Sequence, residues 1–524
     1  MPATSYDPIP PRSSLRFWAI LSLFMVVTSY VTTIILGLAC LSLVMLGSDA
    51  IVLALGGLVL GITILWSLRP RREEFKSPGV LLDRGKNPRL FAELDSIASS
   101  LQEKTPDAVY LIVVANAWVT EVRHKLGSRP ERILAIGLPL LGSLTVAQFR
   151  AILAHEFAHY YGGDTRLGPW VYKARNTMVR TFQSLGEPSA LLQAVARVSV
   201  IALLYRLVVF LLSAYWKLFL RCTQLVSRKQ EFRADELASR VAGSQPLIEG
   251  LSIVNRIAPG VEMYWNTEVA PIALAGFYAP LAEGFALFVA APGISSAIND
   301  NFEKQLREEK THAYDSHPPL RDRIARASEY PAKAGNALPD CESAPAFTLF
   351  DDLQRAEIEL LHLLLPSQPN RPLQSVPWES GKATVVVAAW KSRIEQFASV
   401  LRPIHVSDLP AACQNPTWVA SHMPDPPGML LTRQQRNSRA LDLFGVALGT
   451  ILLQDGWTLV AKPGVYHVER GNETIQPIQL VHELAAGTIT PDAWTQRVRE
   501  LGIADRTLAP PDIPTTQAPP NPSA

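Results

Sequence analysis

Phe17 to Leu46 carries no charge over 30 residues, and after a gap of three residues Ala50 to Leu68 carries none over 19. Roughly 20 apolar helical residues cross a bilayer core, and a backbone in hydrocarbon must satisfy its own hydrogen bonds. Both runs therefore read as membrane-spanning helices, and Gly47-Ser48-Asp49 between them makes a tight hairpin over residues 17–68. A cleaved signal peptide fits poorly, because its apolar region is shorter and no second span follows at once. Arg12 and Arg16 precede the hairpin, Arg69, Arg71, Arg72 and Lys76 follow it, and the turn holds only Asp49. The positive-inside rule then places residues 1–16, and everything after residue 69, in the cytoplasm of a multi-pass inner-membrane protein.

A third apolar stretch, about Val198 to Leu220, is interrupted by Arg206 and Lys217. No Gly or Pro occurs between Ser189 and Val241, so one long helix is expected. Arg206, Lys217, Arg221, Gln224, Arg228, Glu231 and Asp235 then share a stripe about 80° wide. Such a helix lies against the membrane or half in it, over about 190–221, with its polar edge turned to protein or water; a third span is the alternative. The balance of 49 Lys+Arg against 47 Asp+Glu argues against nucleic acid as a partner. The four cysteines are isolated, which argues against a disulfide framework or a thiolate zinc site and suits a reducing compartment.

Chemistry enters at "RAILAHEFAHYYGGD", residues 150–164. Thr145-x-x-Gln148 reads as a capping box opening a helix, and Gly162-Gly163 as its end. At positions i and i+4, His155 and His159 project from one face and can reach one metal ion, while Glu156 stands beside them, where it can hold a water. With only 10 histidines in the chain, this HExxH arises by chance about once in a hundred such sequences. The competing reading, two core histidines bonded to neighbours, holds until a third ligand is found. Glu231, in "SRKQEFRADELASRVAG", completes a His₂Glu set with a fourth position open. Asp235, one turn further, is placed to accept a ring N–H from a ligating histidine. The bland alternative makes Glu231 and Asp235 a solvated helix face answering Arg228 and Arg233.

"HEFAH", "EFRADELA" and "SHPPLRDRIA" (316–325) together resemble the HtpX-type membrane zinc metallopeptidases, gluzincins related to the CAAX prenyl endopeptidase. The resemblance covers roughly Gly79 to Ala325 and the hairpin before it, and includes Asn116-Ala117 as the "NA" pair at the end of a strand. It implies one Zn²⁺ per chain on His155, His159 and Glu231, Glu156 as catalytic base and Asp235 behind the ligands. It also implies that His317 polarises the substrate oxygen, that Arg323 pins its segment to a core carboxylate, and that Asn116 and Ala117 bind substrate. Family members commonly place two spans between HExxH and the third ligand, whereas one candidate stretch exists here. A single crossing would leave His159 and Glu231 on opposite sides, and Arg166, Lys173, Arg175 and Arg180 are too many charges for a hidden second span. This favours the partly embedded helix.

The expected fold is mainly α with a small β-sheet: the hairpin, a zincin-like α+β metalloprotease domain over 69–345, a helix and linker over 346–380, a small α+β domain over 381–505, and a disordered tail over 506–524. "AVYLIVVANAWV" (108–119) and "ILAIGLPLL" read as strands, one of them a possible edge for extended substrate. "ATVVVAAW" and "WTLVAKPGVYHVER" supply strands and "TPDAWTQRVRELGI" a helix of the last domain. His405, His422, His467 and His482 lack ligand spacing there. The expected activity is endopeptidase action on membrane or misfolded polypeptides at the cytoplasmic face of the bilayer. The alternatives are a CAAX-type prenyl-protein peptidase and a non-catalytic membrane scaffold that keeps a zinc-bound core.

Overall fold

In a computed structural model of the chain the first apolar run is one helix, α1 (Ser13–Ser42), and the second is α2 (Ile51–Ser67). The structure describes residues 13–45, 51–69, 75–122, 129, 131–160, 174, 177–184, 199–309, 317–330, 340–365, 372–425 and 431–510. The turn between α1 and α2 and the glycines at 162 and 163 lie outside them. α1 is roughly 45 Å long at 1.5 Å per residue, more than a bilayer core requires. Glycines line the α1–α2 seam: a Cβ on Gly61 would stand 2.8 Å from Gly37 O and 2.7 Å from Leu41 Cγ. Small residues of this kind let helices approach in lipid, where no hydrophobic drive brings them together. Gly61→Val is expected to push the pair apart at a cost of about 1–3 kcal/mol. A lower melting temperature in detergent reports it, and an unchanged one counts against the close seam.

Two compact units follow from the contacts, Met1–Val261 with Ala297–Pro366, and Glu262–Ser296 with Ser367–Ala524. The first contains a sheet of β1 (Val80–Leu81), β2 (Ala108–Ile112), β3 (Ala117–Val122) and β4 (Glu131–Gly137) in the order β1-β2-β4-β3. β2 runs parallel to β4, with Ile112 opposite Gly137, and β3 antiparallel to it, with Ala117 opposite Ile136. The run 108–119, expected as one strand, is thus two. The chain turns at residues 113–116 and crosses the end of β4, where Val114 O and Asn116 O occupy the space a Cβ on Gly137 would need. β3 becomes the sheet edge. "ILAIGLPLL" likewise ends as a strand at Gly137 and continues as a short helix, Leu138–Ser143, because Pro139 suits a first helical turn.

α3 (Pro88–Ser100) buries Leu90, Phe91, Leu94 and Ile97 at helical spacing. α4 (Val146–Ala158) opens with the expected capping box, Thr145 and Gln148 each bonding the other's backbone N–H. α5 (Ser199–Ala242) is a single helix of 44 residues, and α6 (Ser244–Ile257) follows Gly243. Gly243 has φ +102°, a conformation that spares only glycine strain. α5 packs on α4, α6 and α1, and α7 (Leu320–Ala327) packs on α5 and α6.

By length and composition Leu23–Met45 and Ala202–Ala242 could each cross a membrane, and Leu53–Ser67 is a shorter apolar helix. α5 does not merely graze the hairpin. Its Val208 and Leu212 pack with Cys40, Leu60 and Ile64, and its Phe219 packs with Met25 and Val26, so it runs antiparallel to α1 over most of that helix. Leu203, Leu207, Phe210 and Leu218 face outward. Helical residues 177–184, at the end of the segment too charged to be a second span, also lie along the hairpin. Thr181 bonds Ser67 at 2.8 Å, Thr177 bonds Tyr30, and Met178 packs beside Phe219. Arg180 is tolerated because its guanidinium turns back to the Thr177 hydroxyl at 2.9 Å.

The second unit has its own core of Trp390, Phe444, Leu448, Val468, Trp494 and their neighbours. The 457–470 hairpin and the 490–500 helix form as expected, the latter capped by Thr490. "ATVVVAAW" does not form a strand; it lies in a helix, Trp378–Gln396. Residues 378, 382, 390 and 394 are buried and Val386 partly so, a spacing of four that tertiary packing rewards over β-branched preference. The same helix takes in residues 378–380, expected as linker. Leu508 and Ala509 are buried, so the first residues of the expected tail belong to this core, while 511–524 lie outside the described residues. Residues 262–296 also group here: Trp378 donates to Pro280 O, its ring lies 5.9 Å from Tyr264, and buried Glu268 pairs with buried Lys382 at 2.6 Å.

Candidate metal centre

α4 ends where its second histidine begins: Ala158 is the last helical residue and His159 the C-cap. His155, one turn earlier, is buried. α5 crosses α4 and brings Glu231, 5% exposed, against both rings. His155 Nε2 lies 3.5 Å from Glu231 Oε2, and His159 Nε2 lies 3.7 Å from Glu231 Oε1. Corners of a tetrahedron around an ion with ~2 Å bonds are about 3.3 Å apart. The three ligand atoms lie within 4.8 Å of one another, and among the described residues this is the one group of His, Cys, Asp or Glu so arranged. Glu231 Oε2 is buried and accepts no hydrogen bond of good geometry, although His317 Nδ1 lies 3.0 Å away. Two nitrogens and an orphaned carboxylate oxygen are a donor set that fits Zn²⁺.

A second layer holds these groups. Asp235, 1% exposed, sits one turn after Glu231, and its Oδ1 lies 3.0 Å from His155 Nδ1, which leaves Nε2 facing Glu231. Arg323 of α7, itself buried, donates to both Asp235 oxygens, Nε at 2.9 Å and a terminal nitrogen at 2.7 Å. Its other terminal nitrogen lies 3.5 Å from Glu231 Oε2. This fork neutralises a carboxylate that would otherwise be buried unpaired. Sequence reasoning missed Arg150, on the far side of α4, which bonds Glu93 at 2.5 Å and Glu342 at 2.8 Å. A lone basic residue inside an apolar helix was the available signal.

Glu156 is half-buried and has no hydrogen-bond or ion-pair partner among the described residues. Burial chiefly, with Glu231 nearby, pushes its carboxyl up to about 7 against the opposing His155, His317 and Arg323. Burial and Arg323 disfavour a charged His155, but the Asp235 and Glu231 carboxylates outweigh them and carry it up to about 9. His159, half-buried beside His155, falls to about 4, chiefly through desolvation. A cation on the three ligand atoms would compete with the His155 proton.

His317 is exposed, and its Nδ1 lies 3.0 Å from Glu231 Oε2. Asn116 and Ala117 stand at the head of β3, Asn116 exposed and Ala117 buried; Asn116 Oδ1 accepts from the Ala117 N–H at 2.9 Å. β3 packs on α4, so this edge adjoins the helix of the two histidines.

Residues 86–331 match the model of peptidase family M48. Curated relatives named "Protease HtpX" include that of Xylella fastidiosa (strain 9a5c), 28% identical over 195 residues, or 36% of this chain and 64% of the relative. That of Shewanella halifaxensis is 27% identical over 238 residues, 42% of this chain and 67% of the relative. That of Shewanella oneidensis is 26% identical over 251 residues, 44% and 71%. The chain spans about two thirds of the length of these relatives. No solved structure is significantly similar to the chain.

Proposed function

Because the chain is, through residues 86–331, an HtpX-type member of peptidase family M48, we propose that it is a membrane-anchored, zinc-dependent endopeptidase. It hydrolyses peptide bonds of membrane or misfolded proteins at the cytoplasmic face, in protein quality control. The observation that carries this reading is the convergence of His155, His159 and Glu231 beside a half-buried, unpartnered Glu156. Zn²⁺ bound there supplies a Lewis acid for the scissile carbonyl and the attacking water.

Glu156 acts as general base, taking the water's proton as its oxygen bonds to the carbonyl carbon, then delivering that proton to the amide nitrogen as the C–N bond breaks. Asp235 fixes the His155 tautomer, and Arg323 fixes Asp235. His317, on the exposed side of Glu231, donates to the carbonyl oxygen. Extended substrate pairs with β3 near Asn116 and Ala117, which gives affinity with little sequence preference; the free edge of β3 and its packing on α4 support this. The hairpin and the flanking arginines support inner-membrane anchoring with the site cytoplasmic.

Elemental analysis of the detergent-purified chain tests the centre. We expect near-stoichiometric zinc in the wild type and little in Glu231→Ala, since two imidazoles alone make a poor site. Equal zinc in both would remove Glu231 from the ligand set. Offering an unmodified unfolded protein beside a farnesylated CAAX peptide tests the substrate class, and cleavage of the prenylated peptide alone would favour a prenyl-protein peptidase.

A further inference from the structure

His155 and His159 are held very differently. His155 is buried, braced by Asp235 at 3.0 Å and overlain by Arg323. His159 is the C-cap of α4, and its imidazole makes no side-chain hydrogen bond among the described residues; Glu231 Oε1 stands 3.7 Å away, beyond hydrogen-bond reach. Its position is therefore inherited from the backbone on either side. Tyr160, next in the chain, is 8% exposed, and its N–H closes the last turn on Phe157 O at 3.0 Å. The Arg132 guanidinium carbon lies 4.2 Å from the Tyr160 ring centroid, a cation–π stack. Arg132 is itself tied down at the start of β4. It donates to Glu103 at 3.2 Å and Lys104 O at 2.9 Å, its backbone N–H donates to Asp107 at 2.8 Å, and Glu121 of β3 lies 3.8 Å away.

We propose that Arg132 and the Tyr160 ring form a clamp that fixes the end of α4 to the sheet and so positions His159 for metal. Both are positioning residues, and neither touches the ion. The clamp deepens the zinc reading and rests on it. It places at β4 the support that a hydrogen-bonding carboxylate gives His155, and it works through ring packing, with no role for the phenol hydroxyl.

Zinc affinity of the full chain in detergent, from competition with a chromophoric chelator, tests it. Arg132→Met and Tyr160→Leu should each weaken binding by about tenfold or more, the range for groups that orient a ligand. Tyr160→Phe should stay within about twofold, and Arg132→Met combined with Tyr160→Leu should be no weaker than the worse single variant, as expected of two parts of one device. Should Tyr160→Leu fail to fold, Arg132→Met decides alone, because it leaves the end of α4 chemically intact. Unchanged affinity in Arg132→Met, or a loss in Tyr160→Phe as large as in Tyr160→Leu, overturns the clamp. Wild-type protein that binds no zinc would sink the zinc reading along with it; tight wild-type binding with unaffected variants sinks the clamp only.

Discussion

Glu156→Gln should bind zinc as the wild type does and hydrolyse protein at least about a hundredfold more slowly, the lower end of what a positioned general base contributes. The side chain is not among the three ligand atoms, and no described residue relies on it for a hydrogen bond or ion pair. An amide of the same shape therefore leaves the fold and the ligand set alone. What it loses is the ability to accept a proton from water, a task suited to a carboxyl that burial has pushed up to about 7. Parallel zinc analysis and a cleavage assay on an unfolded protein decide the matter. Cleavage at the wild-type rate would remove Glu156 from the role of general base, and loss of zinc would mean that Glu156 helps to hold the ion.

The largest expected stability effect belongs to Arg323→Leu. This guanidinium, 7% exposed, is the counter-charge to Asp235, 1% exposed, and lies 3.5 Å from one oxygen of Glu231. Removing one partner of a buried pair leaves the other charged and unsolvated, at a typical cost of about 3–5 kcal/mol. Arg323→Lys keeps the charge but cannot bond both Asp235 oxygens in the plane of a fork, so it should fall between. Thermal melts of the three proteins in one detergent make the comparison. A Leu variant as stable as the wild type would show that Asp235 does not depend on Arg323 for its burial.

Those two sites were legible in the sequence for a physical reason. Ligands at i and i+4 on a capped helix form a local pattern, and Glu231 with Asp235 repeats that spacing on a helix free of Gly and Pro. The hairpin was legible because apolar runs so long and free of charge are costly to keep in water and at home in a bilayer. What escaped was decided by distant packing. The break between β2 and β3 depends on what crosses Gly137, 21 residues beyond Asn116. "ATVVVAAW" obeys the burial period of a helix that its own side chains do not favour. Residues 177–184 join the hairpin because Ser67 and Tyr30 receive their threonines. Tyr160 beside His159 was in plain view, but its partner Arg132 lies on a strand that spacing alone could not bring near.

The second unit is split in the chain, with residues 297–366 lying between its two parts. During synthesis the segment carrying Glu268, Phe285 and Phe288 leaves the ribosome well before Trp378 and Lys382 exist to cover it. Domains tend to fold as units, earlier ones first, and exposed apolar surface at that stage invites aggregation. This protein must therefore wait, with a raw aromatic face and an unpaired carboxylate, until its later half has been made.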